Sequence, residues 1–87
     1  MEQRSDNELI IAYKNGEDEA LRELVRHHLP NVYRFIFRMI GDAHAAEDLF
    51  QDTFIKIWKN LRRFDATKPF RTWTFAIAKN LAIDYLR

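Results

Sequence analysis

The chain has 87 residues, 47% hydrophobic, 14% aromatic and 31% charged, with a formal net charge of +1. That length leaves room for one core only, and the aromatic content excludes a disordered tail. With no cysteine, two Gly and two Pro, disulfide scaffolds, thiolate metal sites and loop-rich or collagen-like architectures are excluded as well.

No apolar run approaches the ~18 residues of a membrane span, and the polar start MEQRSDNE is no signal peptide. The expectation is a soluble cytoplasmic domain of helices without a membrane partner. The charge is unevenly placed. Residues 1–52 carry a balance of −5 and residues 53–87 a balance of +6. Such a split points to two faces for two partners, with the basic half facing phosphate.

Ser5-Asp6-Asn7-Glu8 fits a capping box, in which a hydroxyl and a carboxylate three residues on satisfy each other's free backbone donors. Leu9, Ile10, Ala12 and Tyr13 follow, and Asn15-Gly16 offers a left-handed stop. This predicts a first helix of about ten residues.

A second helix is predicted from Asp18 to Gly41. Leu21, Leu24, Val25, His28, Val32, Ile36 and Met39 recur at the spacing of one helical face. Pro30 lies inside that pattern, where it lacks the donor for the carbonyl four residues back. It is expected to bend this helix or to split it after Leu29, and the reading is one bent helix.

The third helix opens on Asp42 as N-cap, with Glu47 and Asp48 toward the positive end of the helix dipole. Ala46, Leu49, Phe50, Thr53, Ile57 and Leu61 form its core stripe. With Ile57 at the middle, Phe54 lies at roughly 60°, Trp58 at roughly 100° and Ile55 at roughly 160° around the axis. Glu47, Asp48 and Gln51 flank these three. An apolar strip with an acidic rim marks a protein partner. The competing reading sandwiches this helix between two neighbours and buries Phe54 and Trp58.

The loop Arg62–Lys68 follows, and Pro69 is expected as the first residue of a fourth helix. Phe70, Trp73, Thr74, Ile77, Leu81 and Tyr85 are predicted to share its core side. A second flank carries Trp73, Ala76 or Ile77, Asn80, Asp84 and Arg87. Asn80 is a poor mid-helix residue whose amide suits a base edge, or is merely solvated or bonded to Asp84. Asp84 is expected to pair with Arg87, Arg34 or Arg38. The pattern is still helical at Arg87, which reads as a piece of a longer protein.

Arg62, Arg63 and Lys68 in the loop, with Lys56, Arg71 and Lys79 beside it, interleave with Phe64 and Trp73. Cations for phosphate and rings for unstacked bases suit single-stranded nucleic acid. An enzyme finds little support. His27, His28 and His44 lie in the acidic half, and His44 with Asp48 is a metal pair without a third ligand. No Gly-rich phosphate loop and no nucleophile with its base is present. No metal or cofactor is implied.

The string Glu47-Asp48-Leu49-Phe50-Gln51-Asp52-Thr53-Phe54-Ile55-Lys56-Ile57-Trp58, then Phe64, then Phe70-Arg71-Thr72-Trp73-Thr74-Phe75-Ala76-Ile77-Ala78-Lys79-Asn80 with Asp84 and Arg87, resembles region 2 of bacterial sigma factors. It is most similar to the extracytoplasmic-function (ECF) group. AYKNGEDEALRELV and FRMIGDAHAAEDL extend the likeness over almost the whole chain. The resemblance implies an all-α, compact four-helix region-2 domain over residues 1–87, without the helix-turn-helix domain that reads the minus-thirty-five element.

It also implies two partners. Asp48, Gln51, Asp52, Phe54, Ile55 and Trp58 would meet the clamp helices of the RNA polymerase largest subunit. The loop Arg62, Arg63, Phe64, Asp65, Ala66, Thr67 and Lys68 would capture a flipped-out base of the non-template minus-ten element. A pocket floored by Phe64, with polar Asp65, Thr67 and Asn80, would offset part of the stacking lost. Lys56, Trp73, Ala76 and Ile77 complete the DNA side, and Arg71 and Lys79 would hold phosphates. Ala76 and Ile77 stand where primary sigma factors carry a duplex-wedging tryptophan pair. The alternative reading is a helical interaction domain for a regulator such as an anti-sigma factor.

Overall fold

The computed structural model describes residues 4–87, which form four α-helices and no strand. The first, α1 (Asp6–Lys14), starts on the expected capping box: the Ser5 hydroxyl accepts from the Glu8 amide and the Glu8 carboxylate accepts from the Ser5 amide. It buries Leu9, Ile10 and Tyr13, and Gly16 turns the chain at φ +102°.

The second helix, α2 (Glu19–Ile40), packs against all three others. It buries Ala20, Leu24, Leu29, Val32 and Ile36 and ends at Gly41, where φ is +77°. Pro30 does not split it. Pro30 and Arg26, whose carbonyl loses its donor, are both exposed, so water can take the missing bond. The opposite face is buried, and its packing holds the helix through the proline. Leu21, Val25, His28 and Met39, expected in the core, are only half-buried.

The third helix, α3 (Ala43–Asn60), begins at Asp42, whose carboxylate accepts from the amides of His44 and Ala45 at 2.8 and 3.2 Å. Ala46, Leu49, Thr53 and Ile57 face the core, and the Thr53 hydroxyl donates to the Leu49 carbonyl at 2.7 Å. That internal bond offsets the cost of desolvating a hydroxyl at zero exposure.

A single 3₁₀ turn (Leu61–Arg63) leads to the fourth helix, α4 (Phe70–Leu86). Pro69 precedes that helix as its N-cap and is not its first residue. Core contact along α4 runs through Phe70, Thr74, Ala78 and Ala82. The expected stripe was rotated: Trp73, Ile77 and Leu81 are half-buried and Tyr85 is 53% exposed. Two alanines on the inner face let α4 lie close on α2 and α3, which pushes the larger side chains to its flanks.

Asp84, expected to pair with an arginine, forms no ion pair among the described residues. No helix among them is long and apolar enough to cross a membrane.

Candidate functional site

Where α3 ends and α4 begins, an open cavity of about 440 Å³ is lined by Lys56, Asn60, Arg63, Phe64, Asp65, Lys68, Trp73 and Ile77. Three cations and one carboxylate surround an aromatic floor. The Phe64 and Trp73 rings lie 4.5 Å apart at an interplanar angle of 30°.

Phe64 differs from expectation. It is only 8% exposed and also meets Phe70 at 6.0 Å. Its ring closes the end of the core and props Trp73, so most of its face is covered. Trp73, half-buried, is the ring with free surface for stacking.

The backbone after Phe64 is fixed locally. One Asp65 carboxylate oxygen accepts from the Thr67 amide at 2.9 Å and from the Thr67 hydroxyl at 2.7 Å. The Lys68 amide donates to the Asp65 carbonyl at 3.0 Å. The Thr67 hydroxyl and amide hold the Asp65 carboxyl below its usual range, and Lys68 and Lys14 add to this.

Not every residue expected on the DNA side reaches the cavity. Thr67 is engaged by Asp65, and Asn80 lies exposed beyond Ile77, outside the cavity wall. The Ala66 carbonyl is taken by the Asn7 side-chain amide. Arg62 lies over the Tyr13 ring at 4.9 Å and faces a different cleft. Arg71 lies over Phe75 at 5.2 Å, and Ala76 and Lys79 are exposed on α4 away from the wall.

Asn60, missed from the sequence, lines the cavity instead. Its side-chain NH₂ donates to the Lys56 carbonyl at 2.8 Å, which leaves its amide oxygen as a fixed acceptor. Its place one turn after Lys56, before two arginines, was the available signal.

The second feature lies between α2 and α3. On α3, Ile55 is 43% and Trp58 52% exposed, while Phe54 is half-buried. The strip is therefore exposed at Ile55 and Trp58 and sandwiched only at Phe54.

Three clefts follow it. One of about 360 Å³ is lined by Val25, Leu29, Phe50, Gln51, Phe54 and Ile55. A second, about 250 Å³, shares Val25 and Phe54 with it and adds Asp18, Leu21 and Arg22. The third, about 590 Å³, shares Asp18 and Leu21 and continues to Tyr13, Trp58, Lys59 and Arg62. Through these shared residues they form one groove, apolar around Phe54 and bordered by Asp18, Arg22, Lys59 and Arg62 toward its other end. Its α2 wall escaped the sequence reading because Leu21 and Val25 carry core periodicity. Gln51 borders this groove, and Asp48 and Asp52 are exposed on α3.

A sequence profile of sigma-70 region 2 matches residues 24–87. The chain belongs to the sigma-70 region 2 family. Several of its relatives are ECF sigma factors. It is 38% identical over 78 residues to the ECF RNA polymerase sigma factor SigW of Bacillus subtilis, covering 90% of this chain and 42% of that protein. It is 50% identical over 78 residues to a probable RNA polymerase sigma factor of Haemophilus influenzae, covering 88% of this chain and 40% of that protein.

This region 2 chain thus spans about two fifths of the length of such relatives. The fold is that of an engineered region 2 of sigmaE solved by NMR in complex with GTAAAA. The TM-score is 0.87 at 31% identity, covering 99% of this chain and 90% of that one. The all-α, four-helix expectation and the family resemblance both hold.

Proposed function

We propose that this region 2 domain is a non-enzymatic transcription initiation module with two working surfaces. The cavity at the α3–α4 corner takes a flipped base of the single-stranded, non-template minus-ten element. The groove between α2 and α3 docks on the clamp helices of the RNA polymerase largest subunit. Its place of action is then the cytoplasm, where polymerase and promoter meet.

The observation that carries this reading is the cavity itself. Lys56, Arg63 and Lys68 surround a half-buried Trp73 supported by Phe64. Cations neutralise phosphate, and the ring stacks on a base that has left the duplex. Asp65, fixed by Thr67, offers an acceptor to an exocyclic amine at the base edge. The sigmaE relative was solved with the oligonucleotide GTAAAA, which adds support from a chain of the same fold. Lys79 and Arg71, exposed on α4, suit phosphates that run out of the cavity. The exposed Asn80 suits a neighbouring base rather than the captured one.

A second reading concerns the groove alone. Exposed Ile55 and Trp58 would serve a regulator such as an anti-sigma factor as well as they serve polymerase, by competition for one surface.

The test is anisotropy of labelled single strands drawn from a randomised pool, titrated at several salt concentrations. Enrichment of a short motif, with affinity falling as salt rises, supports the reading. Salt-insensitive binding, or equal affinity for duplex, contradicts it.

A further inference from the structure

The helix α1 lies before the stretch matched by the region 2 profile, and apart from Tyr13 at the end of the groove the two surfaces above take nothing from it. It nevertheless reaches the cavity loop with three side chains. The Asn7 amide donates to the Ala66 carbonyl and the Lys14 ammonium to the Phe64 carbonyl. The Tyr13 ring carries the Arg62 guanidinium at 4.9 Å.

The helix is itself anchored. Asp6 contacts the His28 ring at 2.8 Å, and Leu9, Ile10 and Tyr13 are buried in the core. Just before it, Arg4 bridges Glu17 and Glu23 at 2.6 and 3.0 Å.

We infer that α1 is a positioning element for the recognition loop, with Asn7 and Lys14 as its positioning residues. They grip alternate carbonyls, those of Phe64 and Ala66, on either side of Asp65. The loop's own bonds, Thr67 and Lys68 to Asp65, tighten the turn but tie it to nothing else. The α1 contacts fix that turn to the body of the domain. The Lys14 ammonium gives one of its three donors to the Phe64 carbonyl and lies outside the cavity lining, so its part is to hold the loop and not to meet phosphate. Preorganisation of this kind lowers the ordering cost of binding. The inference rests on the single-strand reading above.

Asn7→Ala and Lys14→Met are measured beside Arg63→Ala in the 87-residue chain. The buried face of α1 is left intact in all three. Hydrogen exchange at the Thr67 and Lys68 amides is expected to speed up in both α1 variants, while exchange at the core amides stays unchanged. Single-strand affinity is expected to fall roughly 3- to 10-fold, the size of a lost hydrogen bond. The salt slope is expected to stay constant, and Lys14→Arg is expected to restore affinity. Arg63→Ala, in contrast, is expected to lower the slope by about 0.7, one phosphate contact on a single strand.

A similar slope change in Lys14→Met makes Lys14 a phosphate ligand and overturns its positioning role. Unchanged exchange, or faster exchange without loss of affinity, overturns the inference and leaves the cavity reading standing if Arg63→Ala still weakens binding. If the unmodified chain binds no single strand, the parent reading falls, and the positioning role falls with it.

Discussion

Asp65 is the residue on which the loop's shape turns, because it is at once part of the cavity wall and the acceptor that closes the turn. Its carboxyl is held below the ordinary value of 3.8, first by the Thr67 hydroxyl and then by the Thr67 amide. A carboxyl depressed in the folded state stabilises the loop above its unfolded value, and that stabilisation is lost as pH falls through the folded value. Carbon-detected NMR titration is expected to place Asp65 below 3.8, and Thr67→Val to move it upward. At neutral pH the carboxylate is therefore an acceptor only, which favours a base with an exocyclic amine.

The sequence made the cations and rings of this corner visible, since charge and aromaticity are written in composition. It did not show which would converge. Phe64 looked free because a loop gives no period from which to judge burial. Asn80 looked engaged only through the family resemblance, since helical spacing alone favoured a solvated amide, and the cavity ends one helical turn short of it at Ile77. Asn60 was invisible because an Asn at a helix end is ordinary.

Among the elements, α2 and α4 depart most from their sequence patterns. Pro30 was expected to leave one bent helix, and α2 does run on as one helix although a proline inside costs about 3 kcal/mol. Burial on the opposite face outweighs that cost. Pro30→Ala restores a donor for the Arg26 carbonyl, so it is expected to raise stability by about 1–2 kcal/mol in urea unfolding. In the same assay Leu24→Ala, at zero exposure, is expected to lose about 2–5 kcal/mol. In α4 the large side chains looked like the core stripe, but small residues at the inner face decide how closely helices approach. Periodicity finds an apolar side of a helix and not which part of that side touches a neighbour.

The same limitation hid the α2 wall of the groove. Trp58 is half exposed, so Trp58→Ala is expected to alter stability by less than about 1 kcal/mol. Affinity for a polymerase clamp-helix fragment is expected to fall by at least about 1–2 kcal/mol, as at an aromatic anchor. An unchanged clamp affinity would remove the groove from polymerase binding.

At the scale of the molecule, the charge asymmetry resolves into two surfaces that meet at one 3₁₀ turn. Arg62 lines the cleft that continues the apolar groove, and the next residue, Arg63, lines the cationic cavity. Neighbours in sequence thus line different clefts, so on the proposed reading docking on a protein and capture of a base use different side chains. Helix number, the Ser5 and Asp42 caps and the family were readable from the chain because each rests on local chemistry or on a long ordered string. The groove was not, because its α2 and α3 walls are distant in sequence, whereas the cavity is lined within residues 56–77 by side chains the sequence had named, Asn60 apart.

The central claim is capture of one unstacked base against Trp73. The chain contains two tryptophans, so Trp58→Phe leaves Trp73 as the sole indole reporter. Titration with the selected single strand is expected to quench Trp73 emission, and an abasic site at one position is expected to abolish that quenching while salt-dependent binding persists. Equal quenching by every abasic variant, or none by the intact strand, would contradict base capture at this corner.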